Sequence, residues 1–154
     1  MTDTPATPDL PVTRSSEDTA RRAGEAFETL VETMARLRAP GGCPWDAEQT
    51  HASLIRYLVE EAYEVVEAVE TGAEPNMPLL REELGDVLLQ VVFHSDIAAA
   101  NPHGFDIVQV IEGLVQKLRS RHPDVFAAES EGSSEAPRTA AEQQAAWDAL
   151  KKKE

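Results

Sequence analysis

Two short runs of carboxylates hold the most pointed chemistry in this sequence. Glu60, Glu61 and Glu64 fall within YLVEEAYEVVE, and Glu83 and Asp86 within LLREELGDVLLQ. A three-residue step places two side chains on adjoining faces of a helix, about 4.5 Å apart along its axis. Glu61 interrupts the helical stripe Leu54, Leu58, Val65, Val69, so it faces neighbouring helices. Asp86 sits in the most apolar stretch of the chain, where a charge must be met by a proton, a basic partner or a cation. Brought face to face, the two runs offer oxygen ligands to a hard divalent cation, Mg²⁺ with Mn²⁺ as a substitute, and the scarcity of nearby His and Cys argues against zinc. An iron-carboxylate bundle would need Glu-x-x-His pairs, which neither run has. His94 lies eleven residues beyond Glu83, roughly 16 Å along a helix, too far to join that group. A plainer reading stays open on spacing alone, since glutamates recur every three or four residues on many solvated helices.

Other residues suit an anionic or aromatic ligand. Lys117 and Arg121 stand four apart, able to grip phosphate oxygens or to form an ordinary basic helix end. Trp45, Tyr57 and Trp147 are candidates to stack on a base or to fill the core. His51 opens a helix, as a ligand contact or a surface histidine, and Lys151 to Lys153 form a terminal basic run.

The elements that must position these groups are helical. The chain has 154 residues, 42% of them hydrophobic, with 28 acidic against 14 basic side chains and a net charge of -14. That suits one domain and disfavours direct binding to DNA, RNA or an anionic membrane. Residues 1–14, with Pro5, Pro8 and Pro11, read as a disordered arm. A first helix is predicted from Ser15 or Ser16, with Ser15 and Asp18 as a capping pair, to the break at Pro40-Gly41-Gly42. A loop at Cys43 to Asp46 leads to a second helix from Thr50 to about Glu70 and a third from about Pro78 to Ala100, apolar on most of its circumference and therefore expected to be central. Gly85 beside Asp86 is expected to let a helix or ligand approach. A fourth helix is capped by Asp106 and ends at His122-Pro123. Residues 127–138 read as a flexible linker before a short C-terminal helix over 139–154, announced by Thr139 and Glu142. The domain core spans 15–126. The whole is all-α and four-helix-bundle-like, with broad apolar faces that make a dimer the expectation. A single cysteine excludes an internal disulfide, and no leader or membrane span is apparent in these residues, so a cytoplasmic setting is expected.

Taken together, the chain resembles the MazG family of nucleoside triphosphate pyrophosphohydrolases. The signature is Glu60-Glu61-x-x-Glu64, a gap of eighteen residues, then Glu83-x-x-Asp86. Its setting strengthens the likeness: LRAPGGCPWDAEQTHASLIRYLVEEAYEVVEAVE, REELGDVLLQVVFHSDIA, KLRSRHPDVF and WDALKKKE are similar to family segments in family order. The likeness spans residues 27 to 154 apart from the linker, with one such domain where some members carry two, and with an extra arm. The resemblance implies an all-α dimer with active sites near the subunit contact. It also implies Mg²⁺ held by Glu61, Glu64, Glu83 and Asp86, with Glu60 a further ligand or the residue that orients water. Lys117 and Arg121 would bind phosphate, and Trp147 and Lys151 would belong to a C-terminal segment closing over the nucleotide. The implied reaction yields nucleoside monophosphate and pyrophosphate from ribo- and deoxyribonucleoside triphosphates. The alternatives are a pyrophosphohydrolase of the same superfamily selective for deoxyuridine, deoxycytidine or modified nucleotides, one acting on phosphoribosyl-ATP, and a non-catalytic helical interaction protein.

Overall fold

The computed structural model describes residues 14–126 and 139–151, so the arm and linker read from the sequence lie outside the described residues except for Arg14. The described residues form seven helices and no strand: α1 (Arg14–Arg38), α2 (Pro44–Glu48), α3 (His51–Glu70), α4 (Met77–Ala99), α5 (Ile107–Arg121), α6 (Pro123–Phe126) and α7 (Ala140–Lys151). None of them is long and apolar enough to cross a membrane. The chain divides into two units at Asp96, within α4.

In the N-terminal unit α1 begins a residue ahead of the expected cap. Ser15 is already helical, and Asp18 pairs with Arg21, three residues on, at 2.7 Å, a spacing that brings helical side chains together. The far end of α1 is closed by Gly41, whose φ of 79° suits a residue without a Cβ, and by Gly42, whose added Cβ would lie 2.2 Å from the Leu37 carbonyl oxygen. The stretch read as a loop at Cys43 to Asp46 is the short helix α2, started by Pro44, whose missing N–H costs nothing in a first turn. Arg38 ties these pieces together, donating at 2.7 Å from Nε to Asp96 Oδ2 and at 2.7 Å from Nη1 to the Asp46 carbonyl oxygen.

A reciprocal capping box starts α3: Thr50 Oγ1 accepts from the Ser53 amide at 3.1 Å, and Ser53 Oγ from the Thr50 amide at 2.9 Å. Asn76 starts α4, its side chain accepting from Leu79 N–H, and its own amide reaches back to the Ala68 carbonyl at 2.8 Å. The core gathers Met34, Leu54, Ala68, Val92 and Phe93. The expectation that α4 is buried on most sides is corrected: Leu84, Leu88 and Val91 form an exposed row at helical spacing. On α3, Ile55, Val59, Tyr63 and Val66 form a second exposed apolar row that the sequence reading passed over. A Cβ at Gly85 would meet nothing within 4 Å, so the close approach expected there is not made among the described residues.

In the C-terminal unit α5 is capped by Asp106 and Gln109, each side chain bonded to the other's amide, and α7 by Thr139 and Glu142. Ile111 and Val115 of α5 join Pro123 and Phe126 of α6 around an open apolar cavity of about 650 Å³, and Leu114 and Leu118 of α5 are also exposed.

Candidate metal centre

Helix geometry brings three of these carboxylates together. Glu61 on α3 and Glu83 and Asp86 on α4 each present an oxygen within 4.8 Å of the others. Glu83 is buried, only 7% exposed, while Glu61 and Asp86 are half-buried. Among the described residues of the N-terminal unit, the ion pairs involve Arg21 and Arg38, and no basic side chain meets the cluster.

The electrostatics follow from that crowding. Desolvation first, then a hydrogen bond with Glu64 and repulsion from Asp86, Glu64 and Glu83 push the Glu61 carboxyl above its ordinary value. Glu83 is raised by desolvation, by repulsion from and hydrogen bonding with Glu64, and by the charges of Asp86 and Glu82. Glu64 therefore acts on both Glu61 and Glu83 from beside the converging three. Every charged neighbour acting on Glu61 is another carboxylate, which leaves a proton or a cation as the means of neutralisation. All-oxygen donors at this spacing fit a hard divalent ion.

Glu60 is exposed on α3, outside the converging set. Trp45 lies on α2, half exposed, its ring edge-on to Tyr57 with centroids 5.9 Å apart, and Arg56 covers the Tyr57 ring at 4.5 Å. His51 is the first residue of α3, and its Nδ1 lies 2.8 Å from His94 Nδ1, a partnership that the sequence reading missed. The remaining candidates belong to the C-terminal unit. Lys117 is exposed on α5. Arg121 is buried, its guanidinium 4.4 Å from the Trp147 ring centre, and its carbonyl accepts from Gln143. Arg119 points to Phe126 instead, and Lys151 closes α7.

Residues 49–126 match the model of the MazG nucleotide pyrophosphohydrolase domain. This chain belongs to the MazG family. The matched span holds all five carboxylates of the cluster and its surroundings, together with His51, Lys117 and Arg121. The chain is 53% identical over 106 residues to the nucleoside triphosphate pyrophosphohydrolase/pyrophosphatase MazG of Thermotoga maritima, covering 69% of this chain and 40% of that protein. It is 45% identical over 111 residues to the nucleoside triphosphate pyrophosphohydrolase of Escherichia coli K12, covering 71% and 41%. An uncharacterized 26.1 kDa protein of Streptomyces cacaoi is 44% identical over 141 residues, 91% of this chain and 52% of that protein. The chain thus spans about half or less of the length of these MazG-domain relatives.

Proposed function

We propose that this protein hydrolyses nucleoside triphosphates, ribo and deoxy, to nucleoside monophosphate and pyrophosphate with Mg²⁺, and that Mn²⁺ can substitute. The observation that carries this reading is the convergence of Glu61, Glu83 and Asp86 within 4.8 Å without a basic partner in their own unit. Two of the relatives' names specify nucleoside triphosphate pyrophosphohydrolase, which supports the substrate class. Glu61, Glu64, Glu83 and Asp86 would hold the metal. When bound, the cation supplies positive charge to set against a polyphosphate and Lewis acidity toward water.

The chain's own groups do the rest. Water attacks the α-phosphorus, the bond from that phosphorus to the α,β-bridging oxygen breaks, and pyrophosphate leaves with the bond's electron pair. Glu60, exposed one residue before Glu61, orients the attacking water, and the glutamate cluster takes up its proton. Lys117, Arg121 and Lys151 stabilise charge on phosphoryl oxygens and leaving group, while Trp45, His51 and Trp147 contact the nucleoside.

The exposed apolar rows on α3, α4 and α5 support a homodimer, because a row of this kind on each of three helices exceeds what a monomer ordinarily leaves to water. A cytoplasmic setting accords with the one free cysteine.

The test is to incubate the protein with the eight common ribo- and deoxyribonucleoside triphosphates, with Mg²⁺ or with chelator, and to separate products by anion exchange. Metal-dependent monophosphate and pyrophosphate from several of them is expected. Diphosphate and inorganic phosphate, or products that persist in chelator, would overturn the reading.

A further inference from the structure

The α3/α4 pair has a second polar contact far from the carboxylates. Ala68 meets Asn76, Glu61 meets Glu83 and Asp86, and His51 meets His94. Each step back along α3 is matched by a nearly equal step forward along α4, so these contacts lie on one antiparallel seam. His51 stands ten residues from Glu61, about 15 Å along the helix. A polar contact between two histidines there fixes the same register that the metal cluster needs.

Its geometry is specific. The imidazole planes lie within 1° of parallel, their centres are 5.1 Å apart, and the two Nδ1 atoms are 2.8 Å apart. Rings stacked face to face cannot bring nitrogens that close. The centre separation exceeds the nitrogen separation by about a ring's width, so the rings lie edge to edge in a common plane. That is the arrangement of an in-line N–H···N hydrogen bond, with one Nδ1 donating and the other accepting.

The direction of the bond follows from two buried atoms. His94 Nε2 and Gln90 Oε1 are both buried and without a hydrogen-bond partner, and they sit four residues apart on α4. Side chains at that spacing are neighbours on one helix face. The two atoms do not bond to each other, and an orphaned buried N–H is rarer in folded proteins than an unfilled acceptor, so His94 Nε2 is bare. A neutral His94 then carries its proton on Nδ1 and is the donor, and His51 Nδ1 is the acceptor, its Nε2–H left to solvent on an exposed side chain. Burial and the adjacent His51 hold His94 below the ordinary histidine value, which keeps it uncharged.

We propose that His94 is a positioning residue: buried and bare at Nε2, it donates its Nδ1–H to His51 Nδ1, fixes that ring as the tautomer protonated at Nε2, and holds α3 against α4 in the register that assembles Glu61, Glu83 and Asp86. Its consequence for metal binding rests on the function proposed above. The tautomers do not.

Long-range ¹H–¹⁵N correlation on the full ¹⁵N-labelled chain, in chelator at pH 8, reads the tautomers. The expected result is His94 protonated at Nδ1, the form that free histidine disfavours, and His51 at Nε2; the reverse pattern overturns the proposal. Mn²⁺ affinity measured without nucleotide reads the register. Loss of the hydrogen bond in His94→Leu is expected to weaken Mn²⁺ about fivefold, and His94→Asn, which keeps a donor and an acceptor, to recover most of it. Equal affinity in wild type and His94→Leu overturns the register role. Should His94→Leu fail to fold, His51→Ala serves instead: it removes the acceptor of His94 Nδ1–H from the exposed side, and a His94 tautomer unchanged there counts against the bond. Wild-type protein that binds no Mn²⁺ would sink the proposed function, while the histidine assignment would still stand or fall on the spectra.

Discussion

Replacing Asp86 with Asn should reverse the protein's order of stability between chelator and Mg²⁺. The variant keeps the size and shape of the side chain and removes one of three carboxylates that converge within 4.8 Å. Two like charges at 4.8 Å repel by about 0.9 kcal/mol in bulk water and about 3.5 kcal/mol at an effective dielectric of 20. Asp86 and Glu61 are half-buried, so solvent screening favours the lower end. Relief of that one pair is therefore worth about 1 kcal/mol in the metal-free protein, which in a chain of this size raises Tm by about 2–4 °C. Release from Glu83 acts in the same direction.

Mg²⁺ should invert this. At a concentration a hundred times Kd, metal stabilises the wild type by about 2.7 kcal/mol. If the lost ligand weakens binding about a hundredfold, the same Mg²⁺ stabilises the variant by only about 0.4 kcal/mol. Adding the variant's head start of about 1 kcal/mol still leaves it about 1.3 kcal/mol behind. Thermal unfolding at one fixed protein concentration, with chelator and then with Mg²⁺, checks both signs. A lower Tm for Asp86→Asn in chelator, or an equal gain from Mg²⁺ in both proteins, would refute the reasoning.

Four further outcomes are expected. The raised carboxyls of Glu61 and Glu83 contribute stability that is complete below the ordinary value of 4.5 and is lost as pH rises through their higher folded values, so in chelator the advantage of Glu61→Gln over wild type should grow as pH rises above about 4.5; a difference flat with pH in thermal melts would contradict this. His94 runs the other way, because a depressed histidine contributes stability present above 6.5 and lost as pH falls through its lower folded value, a slope that His94→Asn should remove from the same melts. Arg38→Ala should cost about 2 kcal/mol by chemical denaturation, between exposed and buried limits, since it strips Asp96 and the Asp46 carbonyl of a half-buried partner; a loss within error of zero would show the pair to be ornamental. Gly42→Ala should destabilise by more than about 1 kcal/mol because its Cβ meets the Leu37 carbonyl oxygen, whereas Gly85→Ala, with nothing within 4 Å, should gain about 1 kcal/mol of helix propensity in the single chain; equal effects in urea titrations would deny the distinction.

The carboxylate cluster is legible in the sequence because its information is local. Glu61 and Glu64 share one helical neighbourhood, Glu83 and Asp86 another, and only one further fact, that the two helices face each other, is needed to join them. The boundaries of α3, α5 and α7 are legible for the same reason, since Thr50, Asp106 and Thr139 each bond within three residues. The His51–His94 bond is not local. Each histidine stands alone in its own window, and their meeting depends on the register set by the Ala68–Asn76 turn. Arg38 with Asp96, 58 residues apart, is hidden likewise. The apolar circumference of α4 misled for a different reason: hydropathy reports that a face avoids water, and does not say whether its cover comes from the same chain. Leu84, Leu88 and Val91 are apolar and exposed among the described residues, a face of the kind that the proposed homodimer would cover.

A helix pair built around like charges must find its stability elsewhere along the seam. Near the turn, the Asn76 amide bonds to Ala68; at the far end, the histidine bond and the Thr50–Ser53 box hold the entry to α3; between them Leu54 and Ala68 are buried. The repulsive cluster lies between these attachments, so the helices cannot relax apart there without breaking contacts at an end. Strain of this kind is released by whatever neutralises the carboxylates, and a cation bound there gains the repulsion it removes. Tightening the ends should therefore weaken the metal-free fold less than it strengthens metal binding, which ties the affinity of the proposed metal site to residues such as His94 that never touch the ion.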